Sequence, residues 1–321
     1  MVFRWNITKR EQLGRLGDDG PAVAGAAPGE IEPSYHDLLR GIRDCSARVL
    51  AMAGDARLVF VGRSPESLYD YLMGALSGTP WADRLTLVNL SFRDVENGWA
   101  GLDEAARAGI CAQLRALELD PSRIASAPRP IAFVDLICEG ITFENLLGLL
   151  FDWAEDEGVD VRAVRRRIRI VGITSAYVRS VTPVQWKRLD WARRFRPSAL
   201  RGVSVPWWLW SYLGNTQRKV SRANPPWRWA DPTMACPPRE REHIHALRMA
   251  VALYQAGRSR RERDALAAEL ATQPAMRHAW CRLLASEIRS AGRLRRVERT
   301  FASKHRVRSR RRSVTNRNRS P

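Results

Sequence analysis

Ile131-Ala-Phe-Val-Asp-Leu-Ile-Cys-Glu-Gly-Ile-Thr-Phe-Glu-Asn-Leu-Leu-Gly-Leu-Leu150 reads as a buried strand, a tight loop and the start of a helix. Only Asp135 interrupts the apolar run from Ile131 to Cys138, which is the pattern of a central parallel strand covered on both faces. Gly140 is free to take positive φ in the turn that follows, and Thr142 is placed to cap the next helix. That helix is expected over 143–156, with Leu146, Leu147, Leu149 and Leu150 on a broad apolar face. A carboxylate at a strand end, a glycine turn and the free N–H groups of a helix start together suit a phosphorylated sugar.

The same logic recurs on both sides of this stretch. A helix capped by Ser34 and ended by Gly54 precedes the strand Arg57–Val61, the turn Gly62-Arg63-Ser64-Pro65 and a helix over 66–76 with Pro65 at its first position. A strand over 84–92, a helix over 102–119 and a strand over 168–174 complete the series. Strand-helix alternation from 57 to 174 predicts an α/β fold, with a mostly parallel sheet, right-handed crossovers and helices on both faces. Ligands of such sheets sit beyond the C-terminal strand ends, where Gly62 to Ser64 and Glu139 to Thr142 both fall.

The segment Val134 to Thr142 resembles the signature of the type I phosphoribosyltransferases, an apolar strand with two acids and a loop ending in Thr-Gly-x-Thr before a helix. Asp135 matches the second acid, and Gly140 and Thr142 match the loop's glycine and last threonine; Val134 and Glu139 depart from the pattern. The resemblance implies binding of phosphoribosyl pyrophosphate or a nucleotide, with phosphoribosyl transfer to a base if the chain is active. By resemblance, Glu139, Gly140, Ile141 and Thr142 hold the phosphate, and Gly62, Arg63 and Ser64 hold the pyrophosphate. Asp135 meets the ribose hydroxyls, directly or through Mg²⁺, and catalysis rests on Asp135 and Arg63. Val134 and Glu139 keep open the alternative of a non-catalytic binding module of the same fold, and a further alternative is a nonspecific nucleic-acid-binding protein using the basic C-terminal tail and the Trp/Arg segment 186–229. Read without the resemblance, Gly62 and Pro65 build an α/β turn beside a solvated Arg63, and Asp135 caps a loop or pairs with an arginine.

The 321 residues are 45% apolar, ample for a core, and no apolar run reaches the roughly 18 residues that cross a bilayer. No secretory apolar segment follows Met1, so a cytoplasmic location is expected, with no membrane partner. Cys45, Cys111, Cys138, Cys236 and Cys281 are scattered and never in Cys-x-x-Cys spacing, which argues against a disulfide framework or a zinc site. Of the net charge of +19, residues 292–321 carry twelve Arg or Lys against one Glu. This segment is expected to be a disordered basic tail, and nonspecific nucleic acid is its candidate partner. Seven of the twelve tryptophans lie between Trp186 and Trp229. They form either a hood that stacks a base near Arg194, Arg196, Lys219 or Arg228, or a satellite core. The arginine run 162–169 reads as a solvated face or a binding surface. The expected organisation is an arm and linker over 1–33, the α/β domain with its Trp/Arg segment over 34–235, a helical appendage over 236–291 and the tail. Oligomeric state has no signature in the sequence.

Overall fold

The computed structural model describes residues 4–9, 13, 16, 34–92, 95–176, 185–221 and 239–291. Five short apolar runs become β1 (Arg57–Val61), β2 (Leu85–Val88), β3 (Ile131–Leu136), β4 (Ile168–Ser175) and β5 (Leu200–Val205). They pair into one all-parallel sheet in the order β2-β1-β3-β4-β5, with β3 in the middle. Parallel strands need crossovers on the sheet faces, and the helices supply them. These are α1 (Tyr35–Ala53), α2 (Glu66–Ala75), α3 (Glu104–Ala116), α4 (Pro121–Ser126), α5 (Ile141–Asp156) and α6 (Val161–Arg167).

Successive side chains of a strand point to opposite faces, and the burial follows that alternation. Leu58, Phe60, Ala132 and Val134 enter a core shared with α1 and α2. Val59, Val61, Ile131 and Phe133 enter a second core with α3, α4, α5 and α6. The α/β fold with helices on both faces is therefore as the sequence predicts.

Several boundaries differ, each for a local reason. β2 stops at Val88, whose carbonyl accepts from the N–H of Gly62 at 2.8 Å; Leu90 and Phe92 stay buried beyond the ladder. Pro65 is the N-cap of α2, not its first helical residue. The N-cap of α5 is Gly140 at φ 82°, so Thr142 lies inside the helix and does not cap it. Two short helices stand in the connections before β3 and β4. Asp120 caps α4 by accepting from Arg123 N–H, and Asp160 caps α6 by accepting from Arg162 N–H, so much of the arginine run is helical. β5 lies inside the Trp/Arg segment, between α7 (Asp190–Arg193) and α8 (Trp207–Ser211). Trp186 and Trp191 stack at 6.0 Å in the second core, and Trp210 is buried in the first, so these three are core residues and not a base-stacking hood.

The helices after 239 are α9 (Arg241–Arg258), α10 (Arg260–Ala271) and α11 (residues 279–291). They do not stand apart as a small appendage. Leu253, Leu266, Leu270, Leu284 and Ile288 share the core of α1 and α2. The approach of α9 to α2 is close enough to require glycine on each side. A Cβ at Gly74 would sit 2.0 Å from the Tyr254 carbonyl oxygen, and one at Gly257 would sit 2.3 Å from that of Tyr71. Among the described residues no helix is long and apolar enough to cross a membrane, and Cys45, Cys111, Cys138 and Cys281 are free thiols. The basic segment 292–321, Cys236 and the run Pro226 to Trp229 lie outside the described residues.

Gly74→Ala forces α2 and α9 apart, since backbone cannot yield as a flexible side-chain tip would. The expected loss is about 1–3 kcal/mol of unfolding free energy in urea titration, with a similar loss for Gly257→Ala. A loss below about 0.5 kcal/mol in both would contradict this packing.

Candidate functional site

The strand order reverses between β1 and β3: β2 is added on one side of β1, and β3, β4 and β5 on the other. The crevice outside the carboxyl ends of strands at such a switch point is the usual ligand position in open α/β sheets. Here the loops 62–65 and 137–140 leave adjacent strands into it, so the structure brings together the two loops that the sequence singles out.

The β3 side of the crevice is built by Asp135, the one polar residue of its strand. It is only 5% exposed, and its Oδ1 accepts the Leu136 N–H at 2.7 Å. Burial pushes its carboxyl up to about 8, against the opposing effects of the Leu136 N–H, the Lys219 charge and a hydrogen bond from Thr142. Thr142 thus serves Asp135 where the sequence suggested a helix cap. Gly140 needs its left-handed backbone, and it also needs its bare Cα, because a Cβ would lie 3.0 Å from Trp191 Nε1 and from Leu189 Cδ1. No side chain caps the start of α5, so its first N–H groups are left for solvent or a ligand. Glu139 and Ile141 are exposed. Val134, at the position of the family's first acid, is fully buried among aliphatic groups.

The β1 side is held by side chains from distant parts of the chain. Gly62 turns the chain at φ 75°. Arg63 and Ser64 are half-buried; Arg63 donates to the Ser221 carbonyl at 3.4 Å, and its own carbonyl accepts from Gln217 Nε2 at 3.3 Å. Glu66, in the first turn of α2, is 1% exposed and accepts from Val220 N–H at 2.8 Å and from the Ser221 hydroxyl. The segment 217–221 is thereby fastened over the loop, and it brings Lys219 between Glu66 and Asp135. Lys219 Nζ donates to the Leu213 carbonyl at 2.6 Å. Burial pulls its ammonium down to about 8; Arg63 lowers it further, while Glu66 and Asp135 oppose the shift. Burial thus disfavours the charged form of both the Asp135 carboxyl and the Lys219 amine, while each charge favours the other. Two buried polar atoms close the description: Gln217 Oε1, and Thr174 Oγ1 at the end of β4, have no hydrogen-bond partner among the described residues. Thr174 lies two residues beyond Gly172, the register partner of Asp135, and so on the same face.

Of the residues named from sequence, Gly62, Arg63, Ser64, Asp135, Gly140 and Thr142 converge on one crevice. Lys219 joins them, while Arg194 and Arg196, grouped with it in the hood reading, lie at the opposite end of the sheet beside Pro130 and Ile168. Glu66, Gln217, Ser221 and Thr174 were not singled out. Glu66 carried a signal, an acid in the first turn of a helix after a glycine loop; Gln217 and Ser221 depend on contacts across roughly 150 positions, and Thr174 on the register of β4 against β3. No family model, no curated protein and no solved structure matches this chain.

The raised Asp135 has a stability consequence with a definite sign. Between about pH 4 and 8 the unfolded chain has released a proton that the folded chain keeps, so this group's contribution to stability falls as pH rises through that window. Asp135→Asn should flatten the decline and leave the variant more stable than the parent at pH 9, by roughly 1–3 kcal/mol. Thermal melts from pH 5 to 9 measure it. Parallel curves for parent and variant would show that Asp135 is not held protonated.

Proposed function

We propose that the chain binds a phosphorylated ribose, phosphoribosyl pyrophosphate or a nucleotide, in the crevice between loops 62–65 and 137–140. The observation that carries the reading is the convergence of complementary groups at the switch point. An uncapped helix start follows the buried Asp135, and Arg63 and Lys219 stand across from it. The phosphate would take the free N–H groups at the start of α5, favoured by the helix dipole. A second phosphate would take the Gly62 to Ser64 loop with Arg63. The protonated Asp135 can both donate to and accept from a ribose hydroxyl, and the unpartnered Thr174 Oγ1 and Gln217 Oε1 offer further polar contacts.

Among the described residues no group of three or more His, Cys, Asp or Glu side chains stands together to hold Mg²⁺. Asp135 is drawn to its neutral form and already engages Leu136 N–H and Thr142, and Val134 beside it is aliphatic. Magnesium enters this reading only as it is carried by the ligand's own phosphates. Transfer of the phosphoribosyl group would rest on positioning and on stabilising departing pyrophosphate, for which Arg63 and Lys219 are the cations at hand. With a buried valine where the family has its first acid, binding is the activity that the site supports best.

Calorimetric titration with phosphoribosyl pyrophosphate and Mg²⁺ should show binding that Asp135→Leu, which has the same shape but no polar atom, weakens by about fivefold to tenfold, one lost hydrogen bond. Glu139→Thr should tighten it. Because Glu139 is exposed, its repulsion of the ligand is screened, and the gain should stay near 1 kcal/mol, roughly fivefold. No heat at millimolar ligand from folded protein would end the phosphoribosyl reading.

A further inference from the structure

At the other end of the sheet, where the strands begin, lies a cleft of about 930 Å³ that the proposed ligand site does not use. Its walls carry eight arginines and one carboxylate, Asp55. α6 and the start of β4 supply Arg162, Arg165, Arg166 and Arg169, and the stretch from the end of α7 into β5 supplies Arg194, Arg196 and Arg201. Arg277 comes from the turn before α11, followed by His278 and Trp280, which also line the cleft.

The charge is poorly compensated. Asp55 stands 3.7 Å from Arg169, and Asp160 stands 3.7 Å from Arg166, where both partners are more than half exposed. Burial lowers the pKa of the Arg169 guanidinium and of the neighbouring Lys187 ammonium. The charge of Arg201 lowers both further, with Asp55 opposing it at Arg169. Arg162, Arg194, Arg196 and Arg201 are exposed and free to turn toward a ligand. Like charges gathered in a concave surface cost free energy in the unliganded protein, and an anion relieves that cost. Part of the clustering has a structural cause. Helix C-termini face this end of the sheet, and cations are favoured there; Arg165 and Arg166 lie in the last turn of α6, and Arg169 donates to the Ala53 carbonyl at the end of α1. Arg194 and Arg277 also end short helical turns, but Arg196 and Arg201 do not, so that cause leaves part of the cluster unaccounted for.

We propose that this cleft holds the backbone of a single-stranded nucleic acid, with His278 and Trp280 as its base-stacking platform. Eight guanidiniums spread across one cleft exceed what a single phosphate group can engage, and their planar forks match phosphate oxygens in pairs. The two aromatic rings stack at 6.4 Å with 14° between their planes, and His278 is itself exposed, so a base can extend the stack. A concave site admits one strand with its bases splayed, whereas a duplex presents a convex backbone with its bases already stacked.

The test compares the full chain with a triple variant, Arg194→Gln, Arg196→Gln and Arg201→Gln, in binding a fluorescent random single strand of about twenty nucleotides across roughly 50 to 200 mM salt. The segment 292–321 is identical in the two proteins, so the difference isolates the cleft. If the three arginines each meet a phosphate, the log–log salt slope should shrink by about 2, and affinity near 100 mM salt should fall at least about tenfold. His278→Ala should lower the preference for single strand over duplex, a readout that loss of charge alone leaves unchanged. Equal slopes and affinities for the triple variant and the parent would overturn the proposal. Displacement of the strand by a mononucleotide at equal phosphate concentration would also overturn it, because the cleft would then be a small-ligand site. The triple variant should keep the parent's melting temperature and its calorimetric response to phosphoribosyl pyrophosphate, because that crevice lies at the far end of the strands.

Discussion

Everything in this protein depends on covering both faces of β3. A strand in the middle of a parallel sheet must bury alternate side chains in two different directions, so the chain needs two layers of helix before its central strand is stable. Ala132 and Val134 meet the layer of α1 and α2, and Ile131 and Phe133 meet that of α3 to α6. The first layer is thickened by α9, α10 and α11, which explains why the chain continues for a further stretch of apolar helices after the sheet is complete. The glycines at 74 and 257 let α9 lie close to α2 and keep Leu253 in that core. Because residues far apart in sequence build each layer, the site at the end of β3 is assembled only when the whole domain closes.

The polarity of parallel strands then divides the molecule electrostatically. At the C-terminal strand ends, helix starts present N–H groups, and the charges are of both signs and largely buried: Asp135, Glu66 and Asp70 against Arg63, Lys219 and Arg4. Arg4 makes a two-pronged ion pair with Asp70 at 2.7 and 2.5 Å, with both side chains almost fully buried. Burial raises the Asp70 carboxyl while Arg4 pulls it back, so the pair is held together by geometry that neither partner could leave without stranding the other. At the N-terminal strand ends, acids such as Asp55 and Glu118 are present, but the cleft there carries eight arginines against Asp55, and most of these arginines are exposed. The proposed small-ligand crevice and the proposed nucleic-acid cleft thus lie at opposite ends of the same strands.

The sequence made the sheet legible where a strand was both apolar and bounded by turn residues. β1, β3 and β4 fall within a residue or two of where Arg57 to Val61, Ile131 to Cys138 and Ile168 to Thr174 place them. β5 escaped because Leu200–Val205 alternates with Arg201 and Ser204 and is embedded among prolines and tryptophans, so its apolar run is short and its neighbours mask it. α4 and α6 escaped because a helix of six or seven residues shows fewer than two turns of periodicity. In the site, Gly140 and Asp135 were legible because each broke a local rule, a glycine at a helix start and an acid in an apolar strand. Gln217, Ser221 and Thr174 broke none; their meaning comes from what lies opposite them.

The role of Glu66 shows how the two kinds of information combine. In sequence it is an ordinary acid in the first turn of α2, where the helix dipole favours negative charge. In the structure that dipole is only part of its surroundings, because Glu66 also accepts from Val220 N–H and Ser221 and so anchors the segment that carries Lys219. Lys219 in turn is the cation whose charge acts on the buried Asp135. A carboxylate on α2 thus positions an ammonium beside a carboxyl on β3, through a loop that starts more than 140 residues later in the chain. Loss of Glu66 would therefore be felt twice, as an unpaired backbone N–H at Val220 and as a displaced cation at Asp135. This makes it the residue through which the fold of the first layer and the charge state of the crevice are coupled.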